Sequence, residues 1–475
     1  MWIMTVTHNY ISAGCSCSLS VVSSLLLASG GIQAQDVKPN IVFILADDLG
    51  WKDLACYGNK FSETPNLDAL AKSGMLFTQA YAACPVSSPT RASILTGKYP
   101  ARLQLTNFIA GNRTDPASPI LPAPWKPYLE AREVTIPELL RPLGYSTGLV
   151  GKWHLGGHDS IAPWNQGFDY TRMIGKNGLD YYNYSIFNDS YNDEFIDNGR
   201  EYLTDKLTDY AIEFIDNNKR NSFFLYLAYS APHVVIVPRP DKLMKYFRKY
   251  GQTDEKFNPY YSAMIESLDD GVGRVMKKLE AEGLTDNTII IFTSDNGGLG
   301  LDELGPVPTS NLPLRKWKGH IYEGGTRVPT IICWPGVISP GSVEDKYFTS
   351  TDYLPTLCEI AGVEDLPENT DGISILSLLK DKGDYVSERA IFWHYPHFSN
   401  QLGRPAGSVR SGNYKLVELY ESGKLELYDL QNDIGESEDL SKKMKKKRDE
   451  LHKLLTDWRK NVSAQMPVHD AVSSP

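Results

Sequence analysis

Asn40–Ala46 reads NIVFILA and is followed at once by Asp47-Asp48. The run is short, rich in β-branched residues and apolar at nearly every position, so neither face is left for water. That pattern predicts a strand buried on both sides, as in a mostly parallel sheet covered by helices. Three more runs share the texture: Ser146–Val150 (STGLV), Ser222–Ala228 (SFFLYLA) and Asn287–Thr293 (NTIIIFT). Between them lie helical patterns. Thr64–Gly74 opens on a Thr cap, has Pro in its first turn and ends in Gly, while Leu203–Asn217 and Tyr260–Gly283 repeat apolar residues at helical spacing. Strands alternating with helices predict an α/β fold.

Beyond about residue 380 the texture changes. Ala390–Trp393, Ala406–Arg410, Tyr414–Leu419 and Leu425–Asp429 read as short antiparallel strands, with turns at Ser411-Gly412-Asn413 and Ser422-Gly423. A final helix is expected over Leu440–Lys460, with Met444, Leu451, Leu455 and Trp458 on one face. At the other end, residues 1–35 hold no Asp, Glu, Lys or Arg, and the apolar stretch Leu19–Ala28 leads to Ile32-Gln33-Ala34. This reads as an export signal cut after Ala34, although the n-region lacks the usual Lys or Arg. The expected plan is a signal peptide over 1–34, a catalytic domain over 35–378 and a C-terminal α+β subdomain over 379–475. No later segment approaches the roughly 20 apolar residues of a membrane-spanning helix.

The chain of 475 residues carries 48 Lys+Arg against 58 Asp+Glu, a formal charge of −10. That balance argues against a nucleic-acid binder, which needs clustered cations for phosphate. The basic run Lys442–Arg448 sits beside the acidic Glu436–Asp439 and reads as the solvated face of a helix. Cys15 and Cys17 fall in the signal, and Cys56, Cys84, Cys333 and Cys358 are too scattered for a disulfide framework or a zinc site. Oligomeric state leaves no mark in the sequence.

Each apolar run in the first 300 residues ends in reactive side chains. The first leads into Asp47-Asp48, the second into Lys152-Trp153-His154, the third towards His233 and the fourth into Asp295-Asn296. Ligands of open α/β sheets bind beyond the carboxyl ends of the strands, so these groups converge on one edge. Asp47, Asp48, Asp295 and Asn296 offer hard oxygen donors alone, which suit Ca²⁺, and less well Mg²⁺, in place of zinc or copper.

Ser87–Gly97, SSPTRASILTG, is the most specific segment. It resembles the signature of the type I, formylglycine-dependent sulfatases, a branch of the alkaline phosphatase superfamily. The resemblance extends in order through Ala46-Asp47-Asp48, the signature, Gly151-Lys152-Trp153-His154-Leu155-Gly156, Ala231-Pro232-His233, Ser294-Asp295-Asn296-Gly297, and Lys318-Gly319 before Tyr322-Glu323-Gly324-Gly325. The local alternative for the signature is a helix start with Ser88 as cap and Pro89 in the first turn. The resemblance implies an alkaline phosphatase-like fold, in which a large mixed, mostly parallel sheet is sandwiched by helices. It further implies that Ser87 is oxidised to formylglycine by a radical maturase, and that Cys84 is a decoy lacking Pro and Arg at the required offsets. A Ser start resembles the bacterial branch, or else is an engineered Cys→Ser change; with the export signal, a bacterial origin points to the periplasm.

An aldehyde hydrate at position 87 would offer one hydroxyl to attack sulfur and a second to expel sulfate. By resemblance, Asp47, Asp48, Ser87, Asp295 and Asn296 surround one Ca²⁺, and Arg91 holds the hydrate and the carboxylates. Lys152 and Lys318 grip sulfate oxygens, His154 assists collapse of the hydrate, and His233 is general acid to the leaving sugar oxygen. The implied substrate is a sulfated saccharide attacked from a chain end, with a leaning towards a galacto-configured hexose sulfated at O4. Asn107, His320, His394, His397 and Arg404 are candidates for sugar contacts. Two other readings remain: a phosphatase or phosphodiesterase of the same superfamily with Ser87 acting directly, and a glycan-binding homologue that has lost catalysis.

Overall fold

The computed structural model describes residues 38–469 except 158, 176–179, 190–192, 198–199, 251–257, 303–306, 382–384 and 387. The export signal expected over 1–34 lies outside the described residues. Asn40–Ala46 is a strand with all seven residues buried, and it occupies the middle of its sheet. Phe223–Ala228 pairs with it in parallel on one side and Thr288–Ser294 on the other, placing Ile41 opposite both Phe224 and Ile289. Among the described residues the sheet has eleven strands. From one edge the order is Ser342–Glu344, Met75–Tyr81, Arg327–Cys333, Thr288–Ser294, Asn40–Ala46, Phe223–Ala228, Ser146–Gly151, Tyr170–Ile174, Asn183–Asn188 and Asp193–Asp197, and Phe348–Thr349 also pairs with Met75–Tyr81. The five strands from Thr288–Ser294 to Tyr170–Ile174 run parallel. Antiparallel strands flank them on both sides.

Alternation along the central strand explains why both faces are covered. Ile41, Phe43 and Leu45 join a cluster with Leu95, Leu354 and Leu357, whereas Val42 and Ile44 join another with Leu67, Leu207, Phe214 and Leu268. Helices Ser87–Thr96 and Tyr353–Ala361 therefore cover one face. Pro65–Ser73, Leu203–Asn218 and Pro259–Ala281 cover the other. Thr64 precedes the first of these helices but its hydroxyl makes no cap bond. It is spent on Ala55 N and Asp68, and the free N–H groups of Asn66 and Leu67 donate to Asp269 from across the sequence.

The C-terminal subdomain is an antiparallel sheet of Ile391–Tyr395, Ala406–Ser411, Tyr414–Leu419 and Lys424–Asp429. Helix Lys445–Asn461 lies on it, with Leu451, Leu455 and Trp458 packed on Val409, Leu416 and Leu427. The helix starts five residues later than its apolar spacing suggests. Leu440 N donates to Leu427 O of the last strand, which pins the chain in a turn until Met444. The basic run is a solvated face, with Lys443, Lys447 and Arg448 paired to Glu438, Glu450 and Asp449. No helix among the described residues is long and apolar enough to cross a membrane.

Candidate active site

The strand ends are stitched together by backbone bonds that continue past the sheet. Asp47 N donates to Ala231 O, Asp295 N to Ala46 O, and Lys152 N to Ala228 O, at 3.1, 3.1 and 2.8 Å. Gly151 makes this possible: its φ is +112°, and a Cβ there would lie 1.9 Å from Ala228 O. Asp48 is itself left-handed at φ 66°, a conformation uncommon outside glycine. Asp48 N and Leu49 N are held by Asp295 Oδ1 and Ser294 Oγ, at 3.2 and 3.0 Å.

Ser87 is the first residue of the helix Ser87–Thr96, and every residue of that helix is buried. The cap position belongs to Val86, while Ser88 Oγ accepts from Ile109 N. Ser87 Oγ lies 3.2 Å from Asp47 Oδ1 and 3.3 Å from Asn296 Oδ1. One turn along, the buried Arg91 donates twice to Asp295 Oδ2, at 2.9 and 2.7 Å, and once to Lys152 O at 2.9 Å. It also sits 3.4 Å from Asp47 Oδ2. Lys152 is bonded to Asp47, and Lys318 to Asp48 Oδ2 at 2.8 Å. Asn296 Nδ2 donates to Asp48 Oδ1 at 2.8 Å. His233 Nε2 is 3.6 Å from Asp48 Oδ2, and its Nδ1 is 2.5 Å from Val234 O.

Three carboxylates thus meet three cations in one buried cluster. The carboxylates form the floor, at 0–1% side-chain exposure, and Lys152, His233 and Lys318 form the opening at 16, 14 and 11%. Burial opposes ionisation of Asp47, but Lys152, His233, Arg91 and Lys318 outweigh it and hold its carboxyl well below the usual range. Asp295 is pushed up by burial and by the neighbouring Asp47 charge, against the pull of Arg91. Burial, reinforced by Lys152 and Arg91, holds His154 well below an ordinary imidazole. Its Nδ1 is buried with no hydrogen-bond partner among the described residues. Asp47, Asp48 and His233 each offer a donor atom within 4.8 Å of the others, so the pocket geometry admits a metal ion.

The candidates for sugar contacts all have partners within the protein. His394 has both ring nitrogens engaged, with the Tyr420 hydroxyl at 2.7 Å and Gln465 O at 2.9 Å, which leaves none for a sugar hydroxyl. His397 is buried against Thr106 Oγ1 at 2.8 Å. Asn107 is buried beside Tyr395, 3.3 Å from its hydroxyl. His320 bonds Gln401 O at 3.1 Å and sits edge-on to Trp317. Arg404 is half exposed and paired with Asp115 and Glu421. Sequence reasoning missed a brace behind the loop that follows Asp48, where Asp53 Oδ2 accepts from Gly50 N and the Tyr261 hydroxyl at 2.7 Å each, and Asp53 Oδ1 from Thr309. Its one sequence signal is an acidic residue three positions after Gly50, the spacing at which a side chain can reach back to a backbone N–H.

The sulfatase family model matches residues 39–363, and the model of the N-sulphoglucosamine sulphohydrolase C-terminal region matches residues 316–461. A sulfatase of Formosa agariphila is 35% identical, covering 88% of this chain and 87% of that protein. The rat N-acetylgalactosamine-6-sulfatase is 33% identical, over 84% of this chain and 74% of its own. Among solved structures, Ps i-CgsB in complex with k-i-k-neocarrahexaose superposes with a TM-score of 0.76 at 29% identity, covering 89% of this chain and 92% of that one. A serine at the head of a buried helix, carboxylates below it and lysines at its opening are carried on a chain of which 84–89% aligns with these proteins. The chain belongs to the sulfatase family and is a sulfuric ester hydrolase.

Proposed function

We propose that this protein is an exported carbohydrate sulfatase that removes sulfate from the end of a sulfated glycan. The observation that carries the reading is Ser87 Oγ set 3.2 and 3.3 Å from the oxygens of Asp47 and Asn296, beneath Lys152 and Lys318. The residues fit a hard divalent cation: Asp47, Asp48, Asp295 and Asn296 would hold it, with residue 87 beside them, and the three protein cations already cancel the three carboxylates. Bound there, Ca²⁺ would lower the pKa of a hydroxyl on residue 87 and leave the pocket a surplus of positive charge for an anionic ester. Conversion of Ser87 to formylglycine by a radical maturase would supply a geminal diol in place of the single hydroxyl.

The chain's own groups divide the remaining work. Arg91 fixes Asp295 and Asp47, so the carboxylates keep their spacing when a substrate enters. Lys152 and Lys318, the cations at the opening, bind sulfate oxygens. His154 is assigned the collapse of the hydrate; its Nδ1 has no hydrogen-bond partner among the described residues, and burial beside Lys152 and Arg91 keeps the ring neutral. His233 Nδ1 donates to Val234 O, so Nε2 carries a proton for the leaving sugar oxygen only in the imidazolium form, which burial opposes, lowering His233 to about 4, and which Asp47 and Asp48 favour. A galacto-configured hexose sulfated at O4 is the proposed sugar. The rat relative, named for a galactosamine sulfate, supports the configuration but carries the sulfate at position 6.

Mass spectrometry of the peptide containing Ser87, after expression with a radical maturase, is expected to show the loss of about two hydrogens. The matured protein should then release sulfate from defined sulfated mono- and disaccharides, with 4-O- and 6-O-sulfates of galacto- and gluco-sugars compared side by side. Two zinc ions per chain with phosphatase activity would overturn the reading. A protein that binds these sugars but cleaves none would do the same. The charge-free segment before Gln35 supports export, and N-terminal sequencing of the periplasmic protein should begin at Gln35.

A further inference from the structure

A second buried ionic cluster lies away from the carboxylate floor. Lys415, the second residue of strand Tyr414–Leu419 of the C-terminal sheet, is 2.8 Å from Glu323 Oε1 and 3.1 Å from Glu436 Oε1, and all three side chains are fully buried. Glu323 Oε2 meets Arg327 at 2.7 Å and the Tyr81 hydroxyl at 2.8 Å. Glu436 Oε2 accepts the backbone N–H of Glu323 at 2.8 Å. One lysine therefore keeps two buried carboxylates side by side.

Glu323 begins the short turn Glu323–Thr326 that closes the loop bearing Lys318. Gly324 N donates to Arg315 O at 2.9 Å, which shuts the loop at its base. Within it Lys318 N is held by Gly298 O and Gly319 N by Pro85 O, two residues before Ser87, at 3.2 and 2.8 Å. Gly325 O in turn accepts from Gly297 N, next to Asn296, at 3.0 Å. The fit has no slack: a Cβ on Gly325 would lie 2.0 Å from His320 O, and one on Gly324 2.1 Å from Lys316 O. A shift at Glu323 must therefore pass to Lys318 and to the neighbours of Ser87 and Asn296.

We propose that Lys415 is a positioning residue for the sulfate grip, by which the C-terminal sheet sets the place of Lys318 through Glu323 and Glu436. Without the lysine charge, Glu323 keeps Arg327, but Glu436, already pushed up to about 7 by burial and by Glu323, loses its counter-charge and must repel Glu323 or take up a proton; either change weakens the bond from Glu323 N to Glu436 and lets the base of the loop drift. The inference rests on the reading of Lys318 as a sulfate-binding cation.

The test is a double-mutant cycle between Lys415→Met and Lys318→Ala, read as the Kd for inorganic sulfate by titration calorimetry with Ca²⁺ present. Lys415→Met is expected to weaken sulfate binding about 10-fold, and in the Lys318→Ala background to cost less than about 2-fold more. In the matured enzyme the same variant should raise KM for an aryl sulfate by that factor with kcat little changed, the signature of lost ground-state binding. Independent, multiplying losses would overturn the proposal, and so would an unchanged Kd for Lys415→Met. If the methionine variant does not fold, Lys415→Gln, which keeps a donor to Glu323 without the charge, enters the same cycle. An enzyme inactive on every sulfate ester refutes the proposed function but leaves the cycle readable. A parent protein that binds no sulfate removes the grip and this inference with it.

Discussion

Replacing Arg91 by Met tests whether the floor of the site is held together by paired charges. Arg91 is fully buried and makes three hydrogen bonds, two to Asp295 and one to Lys152 O, besides its ion pair with Asp47. Removing one member of a buried ion pair costs about 3–5 kcal/mol, because the other charge stays behind without water. That is a large share of the roughly 5–15 kcal/mol by which a folded domain is stable. Asp295→Asn alone should cost less, since Arg91 keeps Asp47 and the Lys152 carbonyl. The double variant removes both members of the Arg91–Asp295 pair and leaves Asp47 to Lys152, so its loss should fall short of the sum by about 2–3 kcal/mol. The assay is urea unfolding of all four proteins in excess chelator, which keeps metal binding from masking the difference. Strict additivity, or an Arg91→Met variant within about 1 kcal/mol of the parent, would refute the argument that charge pairing holds the floor.

Three further outcomes are expected. His233→Ala should slow an unactivated sugar sulfate about 10²–10⁴-fold while an aryl sulfate, with its better leaving group, loses far less; equal losses would show that Nε2 gives no proton in the rate-limiting step. Burial lowers His320 and His394 to about 4 and His397 to about 3, so below pH 6.5 the unfolded chain binds protons that the folded chain refuses. Folded pKa values below the unfolded value mean stability that is full above about pH 6.5 and lost as pH falls towards 4. His397→Gln should therefore flatten the slope in that window by up to about 1.4 kcal/mol per pH unit, measured as unfolding free energy against pH. Leu455→Ala, which empties a buried contact between the terminal helix and the C-terminal sheet, should destabilise by about 2–5 kcal/mol, and an unchanged urea midpoint would place that helix outside the cooperative unit.

The central sheet was legible because its chemistry is local. NIVFILA must be buried on both faces wherever it goes, and the polar residues after it must then lie at the strand's carboxyl end. The same reasoning located Lys152 and Asp295, whose strands stop within a residue or two of the apolar runs. It had little to say where partners are remote and carry no period. Lys415 meets Glu323 across 92 positions, and Tyr261 meets Asp53 across 208, with nothing in either neighbourhood to announce the pairing. Spacing also misled where a backbone bond overrides it, as at Leu440, whose apolar side chain fits the helical period while its N–H is tied to a strand. His394 shows the same limit for function: its residue type suits a sugar contact, and only its two occupied nitrogens reveal a packing role.

The order of strands in space departs from their order along the chain, and that sets a timetable for synthesis. Asn40 bonds Phe223 N across 183 residues and Thr288 across 248. The earliest strand to leave the ribosome therefore waits for both of its neighbours, roughly 10–50 s at ordinary translation rates of about 5–20 residues per second. During that wait Asp47 and Asp48 have no Asp295 or Asn296 to meet, and the segment around Ser87 has no finished sheet to bury it. Once the last central strand docks, Ser87 is 2% exposed and shut against any large visitor. Anything too large for the site's opening can reach the hydroxyl only before these strands close over it.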